Sequence, residues 1–456
     1  MNDTPEPDAA PPSEPPSAPR ILARDREPLL NALRTGVVPA RGAHLIQVGR
    51  HDEIASMIAT VKQVRAGEGA ARFVIGDYGS GNTYFLNLVR AVAHKERLVT
   101  VAADLTPDRR LQGSQGRSRK LYSALIENMA TKGKPGGRAL TSVVERFVTA
   151  VEEEAAAQGD PVRSALETRL RELREHSGGP TFAKVVMAYW QAHEQGDEEL
   201  RAAALRWLQG EYATKTEATR ELGVREIIED RTVFDHLKLM SVFVTMAGYG
   251  GLLVCLDEMV NLYKLSHKGS RTANYEQILN IVNETQQGYA PHLGFLFSGT
   301  PQFLEDDHRG LFSYDALRSR LRENPFATGG LVDYNGPVMR LGGFSKEHFY
   351  ELLRKVSGVY RSHGTTLEGF DDTAVEAFMR HCDGHVGDAY FRTPRSTIKE
   401  FIGLMDVVAQ NRGTDWRDLL DRVDIRREEN PDLAPLRKED DVPDVGTANP
   451  LASFRI

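Results

Sequence analysis

The chain has 456 residues, enough to bury a large core and to form two or three domains. A net charge of −7 excludes a generally basic coat for nucleic acid, though not a local basic patch, and two cysteines, Cys255 and Cys382, exclude a disulfide framework and a cysteine metal cluster. There is no run of 18 or more apolar residues to cross a membrane.

Residues 1–20, MNDTPEPDAAPPSEPPSAPR, are acidic and proline-rich. They are expected to be disordered, and they lack the apolar stretch of a signal peptide, so a cytoplasmic location is expected. From Arg26 to Arg34 the spacing of Leu29, Leu30 and Leu33 predicts a short helix, with Pro28 suited to its first turn. The segment Val48-Gly49-Arg50-His51-Asp52-Glu53-Ile54 opens a second helix.

Ala71 to Leu88, ARFVIGDYGSGNTYFLNL, reads as an apolar strand over about 71–76, a glycine-rich turn and the start of a helix. The turn is Gly76-Asp77-Tyr78-Gly79-Ser80-Gly81-Asn82-Thr83, with Tyr84 following. Seven of its eight positions fit the phosphate-binding pattern G-x-x-x-x-G-K-[ST], counting the free ones. Its glycines let the backbone approach a polyphosphate, and the N–H groups at a helix start favour negative charge. Thr83 offers a hydroxyl to Mg²⁺. The departure is Asn82, where the pattern has lysine: an amide donates hydrogen bonds but brings no charge. An unliganded strand–helix turn is the competing reading of the loop.

Residues 98–104, LVTVAAD, read as a second strand ending in Asp104. The stretch 105–120 is basic, with Arg109, Arg110, Arg117, Arg119 and Lys120. Such a loop can meet DNA phosphates or a neighbour's nucleotide, or be an ordinary solvated loop. Residues 121–245 look helical, broken at 132–137, 178–180 and 209–210. About 175 residues separate the glycine loop from the next acidic motif, far more than a minimal nucleotide domain needs. The spacing predicts a helical insertion over about 125–230. Val233–Met246 is apolar almost all round, which predicts a buried helix.

Residues 251–258, GLLVCLDE, form an apolar run closing in Asp257 and Glu258, the Walker B form. A buried parallel strand has this pattern, and ligands collect at its C-terminal end. Asp257 would hold Mg²⁺ and Glu258 would activate water. A further strand is expected at 292–299, ending near Ser298, Gly299 and Thr300; Thr300-Pro301 also fits the start of a helix. Arginines including Arg309, Arg318 and Arg320 follow. Over 345–408 helices are expected, with Ser345 as an N-cap and a last helix from Ser396 to Val408. The expected fold is α/β, a central parallel sheet with helices on both faces.

The elements VGRHDEI, GDYGSGNTYFL, LLVCLDE, FLFSGTPQFLEDDHRGLFSYDALRSRL and RTPRSTIKEF, in this order, resemble the BREX-system ATP-binding proteins of the BrxD type. The resemblance covers roughly residues 21–405 and the terminal LASFRI, and SGTP…RGLFSYDALRSRL is its most specific phrase. It implies an AAA+ P-loop fold related to origin-recognition ATPases, a bacterial source, and phage-defence partners that act on DNA. Composition adds a disordered tail over 1–20 and a charged tail over 411–456 whose last residues, Leu451–Ile456, can add a short strand; the resemblance implies a nucleotide-binding domain over 21–344 and a helical lid over 345–410. It places Arg50 near adenine, Ser298 and Thr300 at the γ-phosphate, and Arg392 or Arg395 as the lid's contact to nucleotide. Arg318 or Arg320 would reach into a neighbouring copy in a homo-oligomer. ATP or ADP with Mg²⁺ would be the ligand. Asn82 departs from the family's lysine and places hydrolysis in question. Three functions stay open: a DNA-associated ATPase, a nucleotide-binding regulator or scaffold that does not hydrolyse, and an interaction module with a relict site.

Overall fold

The apolar runs assemble into one parallel sheet in the computed structural model, which describes residues 21–420 apart from 40, 41, 329, 330, 365, 366, 368, 387–393 and 412. Its strands are β1 (Ala70–Gly76), β2 (Val99–Asp104), β3 (Leu252–Asp257), β4 (Leu293–Gly299) and β5 (Val338–Leu341), in the spatial order β2-β3-β4-β1-β5. All four neighbouring pairs are parallel. The four longer strands fall where the apolar runs predict them. β5 was not predicted: its four residues, one of them the exposed Arg340, make no run.

Helices α1 (Ala23–Arg34) and α2 (His51–Arg65) precede β1, and α3 (Asn82–Lys95) follows it. Between β2 and β3 stand α4 (Arg117–Glu127), α5 (Leu140–Gln158), α6 (Val162–Arg169), α7 (Gly179–Gln195), α8 (Glu198–Leu208), α9 (Lys215–Leu222) and α10 (Val233–Met246). Then come α11 (Val260–Tyr263), α12 (Lys268–Gln286), α13 (Pro301–Glu305) and α14 (Asp315–Leu321) before β5. The described chain ends in α15 (Lys346–Arg361), α16 (Asp372–Val386), α17 (Pro394–Gln410) and α18 (Trp416–Leu420).

Strand alternation divides the sheet's side chains between two cores. On one face Val74, Leu253, Cys255, Leu296 and Met339 pack under Met57, Val61, Phe85 and Val89 of α2 and α3. On the other, Phe73, Val101, Val254, Phe295 and Phe297 meet α4, α10 and α12. That second core continues without a break into the helices between β2 and β3, through Phe147, Phe182, Trp207 and Phe243. The predicted buried helix over Val233–Met246 has the expected ends and ten buried residues.

A third core joins the two ends of the described chain. Leu29, Leu30 and Leu33 of α1 pack with Phe349, Leu353, Phe378, Phe401 and Met405 of α15–α17. Arg34 anchors this union by donating two hydrogen bonds to Asp406, at 2.8 and 2.9 Å. Ser345 caps α15 as its residue type predicts, its hydroxyl accepting from the His348 N–H.

Candidate functional site

A cavity of about 550 Å³ lies at the C-terminal ends of β1, β2, β3 and β4, lined on its apolar side by residues of the core that joins α1 to α15–α17. That size suits a nucleotide-scale ligand. Its apolar end is built by Val37, Val38, Ile46, Val48, Phe344, Leu352 and Ile398; its polar end by the glycine loop, Asp104, Asp257, Glu258, Ser298 and Thr300.

The glycine loop takes the shape its residues demand. Gly79 and Gly81 have φ of 76° and 94°, and Gly81 is the N-cap of α3 with no side-chain cap. The first turn of α3 therefore offers its N–H groups to the cavity. Gly76 is needed for close approach: a Cβ there would lie 2.3 Å from Asn82 Oδ1 and 2.4 Å from Ser80 Oγ. Tyr84, also lining the cavity, is held by its hydroxyl donating to the Ala43 carbonyl at 2.6 Å.

Asn82 turns back into the loop. Its Nδ2 donates to the carbonyls of Gly76 at 3.1 Å and Gly299 at 3.2 Å, and its Oδ1 accepts from Ser80 Oγ at 3.2 Å. The amide thus ties the end of β1 to the end of β4, with its NH₂ group donating to both.

Thr83 and Asp257 meet. Thr83 Oγ1 donates to Asp257 Oδ2 at 2.6 Å across a sequence separation of 174 residues. The other carboxylate oxygen accepts from the Glu258 N–H at 2.9 Å. Glu258 has φ of 56°, in the left-handed region where non-glycine residues are uncommon and which concentrates at functional sites. Ser298 Oγ and Thr300 Oγ1 line the same end of the cavity; both residues are buried, and neither hydroxyl has a hydrogen-bond partner among the described residues. Thr300 does sit at the N-cap of α13, but its side chain makes no capping bond.

Two arginines reach the cavity from outside the sheet. Arg395 of α17 donates from Nη1 to the Tyr78 hydroxyl at 3.2 Å. Arg50 stacks on Phe344, with its guanidinium carbon 5.2 Å from the ring centroid, and donates to the carbonyls of Gly342 at 2.8 Å and Ser80 at 3.3 Å. Burial lowers its proton affinity, with Glu53 opposing. Arg392 lies outside the described residues. Arg318 and Arg320 are exposed on α14 and away from this cavity: Arg318 pairs with Asp307 and donates to the Phe312 carbonyl at 2.8 Å, and Arg320 donates to Asn283 Oδ1 at 2.7 Å.

In the basic loop over 105–120, Arg109 and Lys120 are exposed and the other three cations turn inward. Arg110 is fully buried with Nε donating to the Pro107 carbonyl, Arg117 is buried, and Arg119 donates to the carbonyls of Gly210, Glu211 and Tyr212. Charge counting along the sequence could not separate these arginines from solvated ones. Asp104 was read only as a strand end, yet it lines the cavity. The signal that places it there is register, since Asp104 is the Cα partner of Asp257.

The sheet and cleft define an α/β protein with a glycine-rich loop at the C-terminal edge of its parallel strands. The chain belongs to the family of BREX system ATP-binding proteins BrxC/D, whose model matches residues 21–424. No curated protein matches the chain. Among the described residues no helix is long and apolar enough to cross a membrane.

Proposed function

We propose that this chain is an AAA+ P-loop protein of the BrxD type, acting in a cytoplasmic phage-defence assembly, that holds ATP or ADP with Mg²⁺ in the cleft. The observation that carries the reading is the 2.6 Å hydrogen bond from Thr83 to Asp257, which brings together two motifs of independent sequence origin. The strand between them in the sheet, β4, and the residue that follows it bring to the same end the hydroxyls of Ser298 and Thr300, unpartnered among the described residues.

The apolar end takes the base, with Arg50 fixing that wall. The loop amides of Gly79 to Thr83 cradle the phosphates. Thr83 and Asp257 are the groups that would hold Mg²⁺, which when bound neutralises phosphate charge. Ser298 and Thr300 donate toward the terminal phosphate, and Glu258 orients a water and accepts its proton. Arg395 brings positive charge from α17. We assign α1 together with α15–α17 to a lid, and α5–α9 to an insertion whose core is continuous with the sheet. Arg318 or Arg320 serves a neighbouring copy in a homo-oligomer, and DNA or a defence partner is what nucleotide-driven assembly engages.

A second reading, a nucleotide-binding regulator that does not hydrolyse, is favoured by Asn82, whose amide is committed to Gly76 and Gly299. Phosphate release with and without DNA, measured on this chain, on Asn82→Lys and on Glu258→Gln, separates the two. The ATPase reading expects turnover that Glu258→Gln abolishes; the regulator reading expects none until lysine is restored. Sedimentation with ATP and with DNA tests assembly, and a monomer in both would count against the role given to Arg318 and Arg320.

A further inference from the structure

Asp104 ends β2 directly beside Asp257, its partner in parallel register on β3. Both carboxylates line the polar end of the cavity. Asp104 itself is exposed and opens onto that cavity. A second observation is independent of these acids. Ser298 and Thr300 are 0% and 5% exposed, line the same end, and leave their hydroxyls without partners among the described residues. Buried polar groups of this kind are completed by a bound polar ligand or by its waters.

The loop supplies no cation, because position 82 is asparagine and its amide is used internally. Among the described residues no three acidic, histidine or cysteine side chains form a metal cage. A divalent cation would therefore enter with the phosphates and keep several of its waters. On the reading of the cleft as a Mg²⁺–nucleotide site, we infer that Asp104 is a positioning residue for the cation: it accepts hydrogen bonds from the cation's water shell beside Thr83 and Asp257. Partners of this kind set metal affinity without ligating the metal. Asp104 thereby supplies attraction for Mg²⁺ at a site lacking the lysine that would have held the phosphates.

The test is the affinity of the purified full chain for ATP, titrated at a series of Mg²⁺ concentrations and in EDTA, compared among the parent chain, Asp104→Asn and Asp104→Glu. Asp104→Asn should raise the Mg²⁺ concentration at which ATP binding is half-enhanced by about tenfold or more. It should leave the EDTA affinity unchanged, and Asp104→Glu should restore most of the Mg²⁺ response. A merely structural role would move the EDTA affinity as well, and that result overturns the inference. So does an identical Mg²⁺ response in parent and Asp104→Asn, which leaves the nucleotide site itself standing. Absence of ATP binding by the folded parent chain overturns the reading of the cleft and this inference with it.

Discussion

Replacing Asn82 separates two jobs at one position. The amide holds the carbonyls of Gly76 and Gly299 at 3.1 and 3.2 Å, joining the ends of β1 and β4. Two neutral hydrogen bonds contribute roughly 0.5–1.5 kcal/mol each. Asn82→Ala should therefore lower stability by about 1–3 kcal/mol, visible as a smaller denaturant midpoint with an unchanged slope. Asn82→Lys loses the same amide but adds a charge that can reach the β- and γ-phosphates. A charge-assisted hydrogen bond is worth about 1.5–3 kcal/mol, or roughly 10–150-fold in affinity for the triphosphate. Turnover should gain at least about tenfold, because charge develops on the γ-phosphate during transfer. Single-turnover phosphate release at saturating ATP measures this directly. Equal rates for the parent chain and Asn82→Lys, both abolished by Glu258→Gln, would contradict it and would mean that another cation such as Arg395 already fills the lysine's place.

Four further outcomes are expected. Arg395→Ala should weaken ATP binding by about tenfold or more, the loss of one charge-assisted contact, with ADP affected less; equal losses for the two nucleotides would place Arg395 away from the γ-phosphate. Gly76→Ala should reduce nucleotide affinity, because the added Cβ meets Ser80 Oγ and Asn82 Oδ1 at 2.4 and 2.3 Å and displaces the clamp; calorimetric titration checks it. His94 lies 2.9 Å from Thr100 Oγ1, and burial, aided by Arg90, pushes its proton affinity down to about 4; its contribution is full above the unfolded value near 6.5 and is lost as the pH falls toward 4, by about 2–3 kcal/mol. His94→Gln should flatten denaturant stability across that window. Trp207, 1% exposed and donating to the Glu226 carbonyl at 2.8 Å, ties α8 into the main core, so Trp207→Ala should cost about 3–5 kcal/mol; a loss below roughly 1 kcal/mol would show that these helices pack independently of the sheet.

The strands were legible because a parallel strand buried on both faces must be apolar from end to end, as in Leu252–Leu256 and Leu293–Phe297. The meeting of Thr83 with Asp257 was legible too, since motifs at the C-terminal ends of parallel strands in one sheet share an edge. Three features were not. The place of α1 against α15–α17 rests on Leu29, Leu30 and Leu33 finding apolar partners more than three hundred residues away, which periodicity cannot assign. The inward turn of Arg110 and Arg117 depends on carbonyls and packing supplied by the fold. Asp104 acquires meaning only from its register with Asp257. Asn82 lies between these cases: the missing charge is plain in the sequence, while the use of its amide as a tie between β1 and β4 is visible only in three dimensions.

Calorimetric titration of the purified chain with ATP and Mg²⁺, repeated on Thr83→Val and Asp257→Asn, tests the nucleotide site most directly. The expected result is saturable binding by the parent chain, weakened by about tenfold or more in either variant in Mg²⁺, at 1.4 kcal/mol per factor of ten. A folded parent chain that binds no ATP, or binding left untouched by both substitutions, would contradict it.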